Sequence, residues 1–325
     1  MEVEIITQSS ELPQLFNDDF FHSRELFWIV EHTPRMFPCM AIARNKKGEI
    51  HGQILAIIQR QPTFIPFRTS NHARIYGEGT YDKTISFKEK NTIFATLLDS
   101  LVEHLREHDC HHMEISHISR KMFGYKVLRR HGFFPVPWLQ IHHSLHSKRP
   151  EERANEKALY RIGRAYKTGI MTREADNDEE ITILYKLIKS YYRFRKQRHI
   201  PDEKLFHLIG NSINGHIYVT TYKDKIIGGS VVVDSDKNAM IWYDTALKKR
   251  YLLHYPYHAT IWHAIRTAYR QGKEHIQILN VGLPFKRSRY RNFILSFGGK
   301  PVSSYRWFHF SFSWINKLLF WYYRI

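Results

Sequence analysis

The order strand, strand, helix, strand, helix, strand occurs twice along this chain, and an internal repeat restricts the possible architectures more than composition does. In the first copy, Met40–Gln59 reads as a strand, a turn at Asn45–Gly48 and a second strand. The later copy opens at Tyr218 with a strand, a turn at Lys223–Lys225 and a return strand. Gly52 and Gly228 hold matching places in the return strands, and a glycine inside a strand marks a bulge or a close backbone approach. Each copy continues with a helix running into a strand. Asn91 is a candidate cap for a helix with the apolar stripe Phe94, Leu97, Leu98, Leu101, Val102 and Leu105, and strand His112–Ser116 follows. In the later copy Pro256 stands near the helix start, Ile261, Trp262, Ile265, Ala268 and Tyr269 form the stripe, and Gly272 stops it before strand His275–Leu279. Each copy closes with a helix, a glycine and an aromatic-rich strand: Arg120–His131, Gly132 and Trp138–Leu145, then Tyr290–Ser296, Gly298 and Val302–Phe310.

These elements predict an α/β protein, α+β in its layering, with two similar domains. Each has a mixed, largely antiparallel sheet flanked by helices. The polar, proline-containing stretch Ser147–Glu152 predicts the boundary, giving residues 1–150 and 151–325. Two more helices are expected in the later domain. Lys157–Lys167 carries Lys157, Arg161, Arg164 and Lys167 on one side, and Glu180–Arg193 has an apolar stripe. With 325 residues the chain is long enough for two domains. Cys39 and Cys110 are the only cysteines. That excludes a disulfide framework and predicts a reducing, cytoplasmic setting. The formal net charge of +18 favours an anionic partner: nucleic acid, an acidic membrane face or a phosphorylated substrate. The opening MEVEIITQSSELPQ has no basic region followed by an apolar core, so no signal peptide is expected. No run of about 18 apolar residues predicts a transmembrane helix. The stretch Ser313–Ile325, SWINKLLFWYYRI, has two readings. As a terminal helix it packs on the second domain; alternatively Trp314, Ile315, Leu318, Leu319, Trp321 and Tyr322, with Lys317 and Arg324, lie on the inner membrane face.

Several segments resemble the Fem-type peptidyltransferases of peptidoglycan bridge synthesis, the FemAB family, which are built from two GNAT acyltransferase folds. RIGRAYKTGIMTREA (Arg161–Ala175) resembles that family's basic helix, Ala, Lys, Gly and strand. RHIPDEKLF (Arg198–Phe206) is similar to its proline-led short helix, and IIGGSVVV (Ile226–Val233) to its glycine-containing central strand. LNVG (Leu279–Gly282) and FILSFGG (Phe293–Gly299) resemble its strand end and its Phe-Lys-x-x-Phe-Gly segment. The resemblance implies two GNAT-like domains, the first a degenerate copy that closes one wall and the second carrying the main site. It implies an N-acyltransferase that moves an acyl or aminoacyl group to an amine of a cell-envelope precursor or amino sugar. The donor it implies is acyl-CoA or aminoacyl-tRNA. The chain departs from the family at Ile294, where the family has a lysine that stabilises the oxyanion, and at Asn280, where it has an acidic residue. Neither half carries the glycine-rich loop that cradles CoA pyrophosphate in simple GNAT enzymes; Leu247–Tyr257 and Ser86–Asn91 occupy its place. A helix N-terminus still offers free N–H groups to phosphate, which makes Tyr255 and His258 the cofactor-binding candidates.

Acyl transfer to an amine needs a neutral amine, a polarised carbonyl and a proton for the leaving group. No Gly-x-Ser-x-Gly elbow or thiol-enzyme signature supplies a covalent nucleophile. Asn280–Arg291, NVGLPFKRSRYR, follows a strand end, where ligands of α/β folds commonly bind. Lys286 is a catalytic candidate there. Arg287, Arg289 and Arg291, with Asn280 and Phe293, are candidates for binding phosphate or carboxylate; the plain alternative is a solvated basic loop. Tyr191–Arg198 mixes aromatic and basic residues, so Arg193 and Arg198 are substrate-binding candidates. Its alternative is a helix end with aromatics in the core and cations in water. Tyr243-Asp244 ends a strand, so one of the two faces a cleft, Asp244 to orient an amine or Tyr243 to relay a proton. Cys110-His111-His112 alternate between strand faces, and His258 and His263 miss the helical spacing of zinc ligands, so no metal is expected. Two rivals stand beside the acyltransferase with an envelope acceptor: a CoA-dependent acetyltransferase acting on an amino sugar, and a non-catalytic module that holds RNA or anionic lipid. DNA is not an expected partner.

Overall fold

The structure, a computed structural model, describes residues 1–62, 69–193 and 200–323. In chain order the first copy gives β1 (Glu2–Ile6), α1 (Arg24–Glu31), β2 (Met36–Arg44), β3 (Ile50–Pro62), β4 (Thr69–Tyr76), β5 (Thr80–Tyr81), α2 (Phe87–Glu107), β6 (Cys110–Ser116), α3 (Tyr125–Arg130) and β7 (Phe134–Ser144). Then come α4 (Pro150–Arg153), α5 (Glu156–Lys167), β8 (Ile170–Glu174), α6 (Asp178–Tyr192), α7 (Glu203–Gly210), β9 (Gly215–Tyr222), β10 (Lys225–Asp234), β11 (Asn238–Ala246), α8 (Pro256–Arg270), β12 (His275–Ile278), α9 (Arg289–Leu295), β13 (Lys300–Phe310) and α10 (Ser313–Tyr323). The hairpins β2–β3 and β9–β10 both skip a residue just before the glycine that the repeat puts in register. Ala43 pairs with Gly52 and Arg44 with Ile50; Gly228 pairs with Thr220 and Ile226 with Thr221. Both glycines are there because of close approach. A Cβ on Gly52 would stand 2.8 Å from the Tyr81 ring, and one on Gly228 2.7 Å from the Thr245 carbonyl oxygen.

One compact unit comprises Met1–Trp138 and Ser303–Ile325. Its strand order is β1-β2-β3-β4-β6-β13, antiparallel except for β4 beside β6. β2 is buried along almost its whole length, as a strand covered on both faces must be. α2 lays Phe94, Leu97, Leu98 and Leu101 against Ala41, Ala43, Ile54 and Ala56, and Trp307 of β13 is fully buried in the same core. The helix begins at Phe87 rather than at Asn91. Ser86 and Glu89 form a reciprocal capping box, and the Asn91 amide donates to the Phe87 carbonyl. α3 spans only Tyr125–Arg130.

The other unit is Leu139–Val302, with order β7-β12-β11-β10-β9-β8. β10 is buried from Ile227 to Asp234. Adjacent residues show what covers its two faces. A Cβ on Gly229 would strike Leu184 of α6 at 2.8 Å, whereas Ser230 pairs with Asp244, which bonds to Tyr257 of α8. α7 packs on α6 and β9, and α5 packs on α8.

Each unit therefore contains the closing strand of the opposite copy of the repeat. β7 closes the first copy in sequence but pairs with β12, and β13 closes the later copy but pairs with β6. The compact units differ from a division at residue 150 by one strand each. Residues 147–152 lie inside the second unit, where they lead into α4. α10 goes with the first unit rather than the second. Among the described residues no helix is long and apolar enough to cross a membrane.

Candidate functional site

The second unit opens where two parallel strands part. β11 and β12 pair from Asn238↔His275 to Ile241↔Ile278, and β11 then runs on to Ala246 while β12 ends. The matching strands of the first unit stay together to their ends. Tyr76 pairs with Ser116, and the Gly77 N–H donates to the Ser116 carbonyl at 2.6 Å. A gap beside a sheet's parallel strand ends is where an α/β fold can admit a ligand, and among the described residues β11 and β12 leave one where β4 and β6 do not.

Asp244 lies on this free stretch of β11 and is 5 % exposed. An enclosed carboxylate needs donors, and two helix starts supply them. Tyr257, next to Pro256 at the beginning of α8, and Tyr290, at the beginning of α9, both donate their hydroxyls to it, Tyr290 at 3.0 and 3.1 Å. Burial, and then the negative charge of Asp244, hold both tyrosines well above the usual phenol range. At neutral pH both hydroxyls therefore keep their protons and act as donors.

Beside this cluster is a cleft of about 360 Å³, a size suited to a small ligand. Arg161 reaches it from α5, and Lys248, Lys249, Tyr251, Leu252 and Tyr255 come from the loop after β11. Pro256, Tyr257 and His258 come from α8, and Arg289, Tyr290 and Phe293 from α9. None of these lining residues is acidic. Phe293 stacks on Tyr257 at 4.9 Å and meets His258 edge-on at 4.9 Å. Burial, and then Arg161, push the His258 imidazole down to about 4, so it is neutral at pH 7. The start of α8 turns its partial positive charge toward the same space. Tyr255 caps the helix at φ 49, the left-handed conformation that a glycine adopts more readily.

No protein-family model and no curated protein matches the sequence. Solved structures do match the fold. The chain superposes on FemX with a TM-score of 0.65 at 10 % identity, covering 98 % of this chain and 100 % of that one. A tandem GNAT protein from the clavulanic acid biosynthesis pathway gives 0.58 at 10 % identity, covering 95 % and 98 %. L-PGS from Bacillus licheniformis gives 0.55 at 11 %, covering 91 % and 90 %. The fold is that of the tandem GNAT proteins. In the second unit, the stretch Leu247–Tyr257 supplies Lys248, Lys249 and Tyr255 to the cleft wall.

Against this GNAT frame the residues singled out from sequence separate into groups. Tyr255, His258, Arg289 and Phe293 line the cleft, and Asp244 is bonded to two of its tyrosines. Tyr243 points to the opposite face, 2 % exposed and 5.2 Å from the Phe206 ring of α7. Arg291 spends its guanidinium on closing the turn before α9, donating to the carbonyls of Leu283 (2.9 Å) and Lys286 (2.7 Å). Lys286 and Arg287 are exposed in that turn, and Asn280 is half-buried where the chain leaves β12. Arg193 caps the end of α6 and is exposed; Arg198 lies outside the described residues. Ile294, which the sequence resemblance sets against that family's lysine, is fully buried in the core of the unit. Sequence reasoning missed Tyr257 and Tyr290 as partners of Asp244, and Arg161, Lys248 and Lys249 as cleft residues. Arg161 was visible as part of a basic helix face, but nothing local to either tyrosine points at a carboxylate on a distant strand.

Proposed function

We propose that the second unit is an N-acyltransferase site. It takes an anionic donor, acyl-CoA or aminoacyl-tRNA, and passes the acyl or aminoacyl group to an amine of a cell-envelope precursor or amino sugar. The observation that carries this reading is the buried Asp244, held by two protonated tyrosines at the parting of β11 and β12, beside a cleft lined by Arg161, Lys248, Lys249 and Arg289. The fold shared with FemX and the tandem GNAT protein supports it at the level of architecture. In this reading the cations and the start of α8 hold the donor's phosphates, with Tyr255 and His258 beside them and Phe293 packing against its apolar part. The amine nitrogen attacks the donor carbonyl; a C–N bond forms and the thioester C–S or ester C–O bond breaks. The amine's proton goes to Asp244, and the Tyr290 hydroxyl passes a proton to the leaving sulfur or oxygen while Asp244 restores it. Lys286, Arg287, Asn280 and Arg193 serve the approach of the anionic substrate. Tyr243 and Arg291 are assigned structural roles.

The test is to offer labelled acyl-CoA and, separately, charged tRNA, reading thermal protection and consumption of label in the presence of amine acceptors. One donor should both raise the melting temperature and be consumed. Turnover of acyl-CoA with no tRNA requirement selects an acetyltransferase acting on an amino sugar. The second reading, a non-catalytic module for RNA or anionic lipid, is favoured by Ile294, a buried apolar side chain that the sequence resemblance sets against the family lysine. It predicts no transfer from either donor and binding that weakens steeply with salt.

A further inference from the structure

We propose that α10 docks the protein on an anionic lipid surface. The inference goes beyond acyl transfer and rests on residues outside the cleft. A helix lying on a folded protein normally turns its apolar side inward and its polar side to water. α10 is apolar on both sides: Ile315, Leu319, Phe320 and Tyr323 are partly covered, and a second apolar side is turned to water. None of its residues is buried, and Trp314, Leu318, Trp321 and Tyr322 are 64, 53, 72 and 59 % exposed. Their spacing puts all four on one face, with Phe312, 60 % exposed, at its foot. The other face is tied down. The Asn316 amide donates to the Phe310 carbonyl at 2.7 Å and accepts from the Phe310 N–H at 2.8 Å, and the Arg129 guanidinium lies 4.4 Å over the Phe320 ring. The outward apolar face is therefore a fixed feature of the first unit.

Charge selects the occupant. No Asp or Glu occurs between Ser303 and Ile325, while Lys317 stands on α10 itself and the Arg129 guanidinium lies over its Phe320 ring. Lys317 is exposed among the outward aromatics. A second copy would bring together two chains that each carry +18 and repel; anionic headgroups complement that charge. Trp and Tyr suit an interface that is apolar on one side and wet on the other. At about 16 Å the helix is too short to span a bilayer and would lie in the plane of the headgroups.

The experiment is flotation with vesicles of phosphatidylcholine, alone or mixed with phosphatidylglycerol, alongside sedimentation of the protein by itself. Wild type should float with the mixed vesicles, less so as salt rises, and much less with phosphatidylcholine alone. Replacing the outward residues together, Trp314→Ser, Leu318→Ser and Trp321→Ser, leaves Asn316 and Phe320 in place. It should weaken partitioning roughly a hundredfold with an unchanged melting temperature. Lys317→Glu, which keeps the apolar face, should weaken binding to the mixed vesicles about tenfold. Three results would overturn the proposal: no flotation of wild type, equal flotation of the variants, or a wild-type dimer that the triple variant converts to monomer. None of these results bears on whether the cleft turns over a donor.

Discussion

A carboxylate as enclosed as Asp244 needs donors, and the Tyr257 and Tyr290 hydroxyls are aimed at it. Tyr290→Phe removes one of them, and the expected loss is about 1–2 kcal/mol of stability. If the relay operates, turnover should also fall roughly a hundredfold. Chemical denaturation and kcat are the two readouts, and a stability loss with unchanged kcat would remove Tyr290 from the chemistry. Ile294→Lys tests the departure from the family pattern. The side chain is fully buried among apolar neighbours, so an ammonium there should cost on the order of 3–5 kcal/mol and bring no gain in rate. A folded, faster variant would show that the α9 backbone can turn that position into the cleft. His143 gives a pH prediction. It is 1 % exposed, and burial pushes its imidazole down from 6.5 to about 4. Unfolded, it takes up a proton near pH 6.5. Between pH 6.5 and 4 the unfolded state therefore binds a proton that the folded state refuses. The stabilisation is complete above that window and is lost as pH falls through it, by about 2–3 kcal/mol for a shift of this size. Melting temperatures at pH 7 and 4.5 should differ by at least this much, and His143→Asn should remove its share while His112, His258, His263 and His309, held down in the same way, keep theirs. At this scale the sequence exposed Asp244 and Arg289 as candidates, because a strand end and a basic loop are local patterns. It left Tyr257 and Tyr290 unassigned, because their partner is brought to them by packing.

At the level of elements, the strands and long helices were readable, and their ends were less so. The stripe from Phe94 to Leu105 identifies α2 without ambiguity. Its start was displaced to Asn91 because the Ser86–Glu89 pair, which caps the helix, lies outside the apolar run. Ser86→Ala should cost about 1 kcal/mol, measurable as a small drop in melting temperature. The glycine after α9 is demanding in a different way. Gly298 has φ +90, and a Cβ there would lie 2.4 Å from the Arg153 carbonyl oxygen. Gly298→Ala combines left-handed backbone strain with a clash against main chain that cannot rotate aside. It should destabilise the second unit by roughly 3 kcal/mol or more; a variant with wild-type melting would mean that α4 shifts freely.

The whole molecule is governed by the exchange of final strands. Trp307 belongs to the later copy in sequence, yet it is buried in the core of the first unit. Trp307→Ala should therefore destabilise the first unit by about 3–5 kcal/mol, and hydrogen exchange should show the loss in α2 and β6 rather than around α8. A fragment of residues 1–150 lacks β13, leaves the β6 edge bare and should be unfolded or aggregated. A fragment of residues 134–302 keeps β7 to β12 whole and should retain cooperative melting. A well-folded 1–150 fragment would show that β7 can replace β13 beside β6.

Read alone, the sequence makes legible a doubled α/β chain, with hairpins that carry a glycine in the return strand, a helix running into a strand and a cationic loop before α9. Those properties follow from periodicity, turn chemistry and charge, which act over short stretches of chain. The pairing of β7 with β12 and of β13 with β6 is a tertiary outcome, because an aromatic-rich strand presents much the same edge to either partner. So is the parting of β11 and β12 where β4 and β6 stay paired, and the meeting of Asp244 with two tyrosines from separate helices. The turning of the α10 aromatics to solvent is another. Each of these depends on contacts between residues far apart in the chain, and no local pattern encodes them.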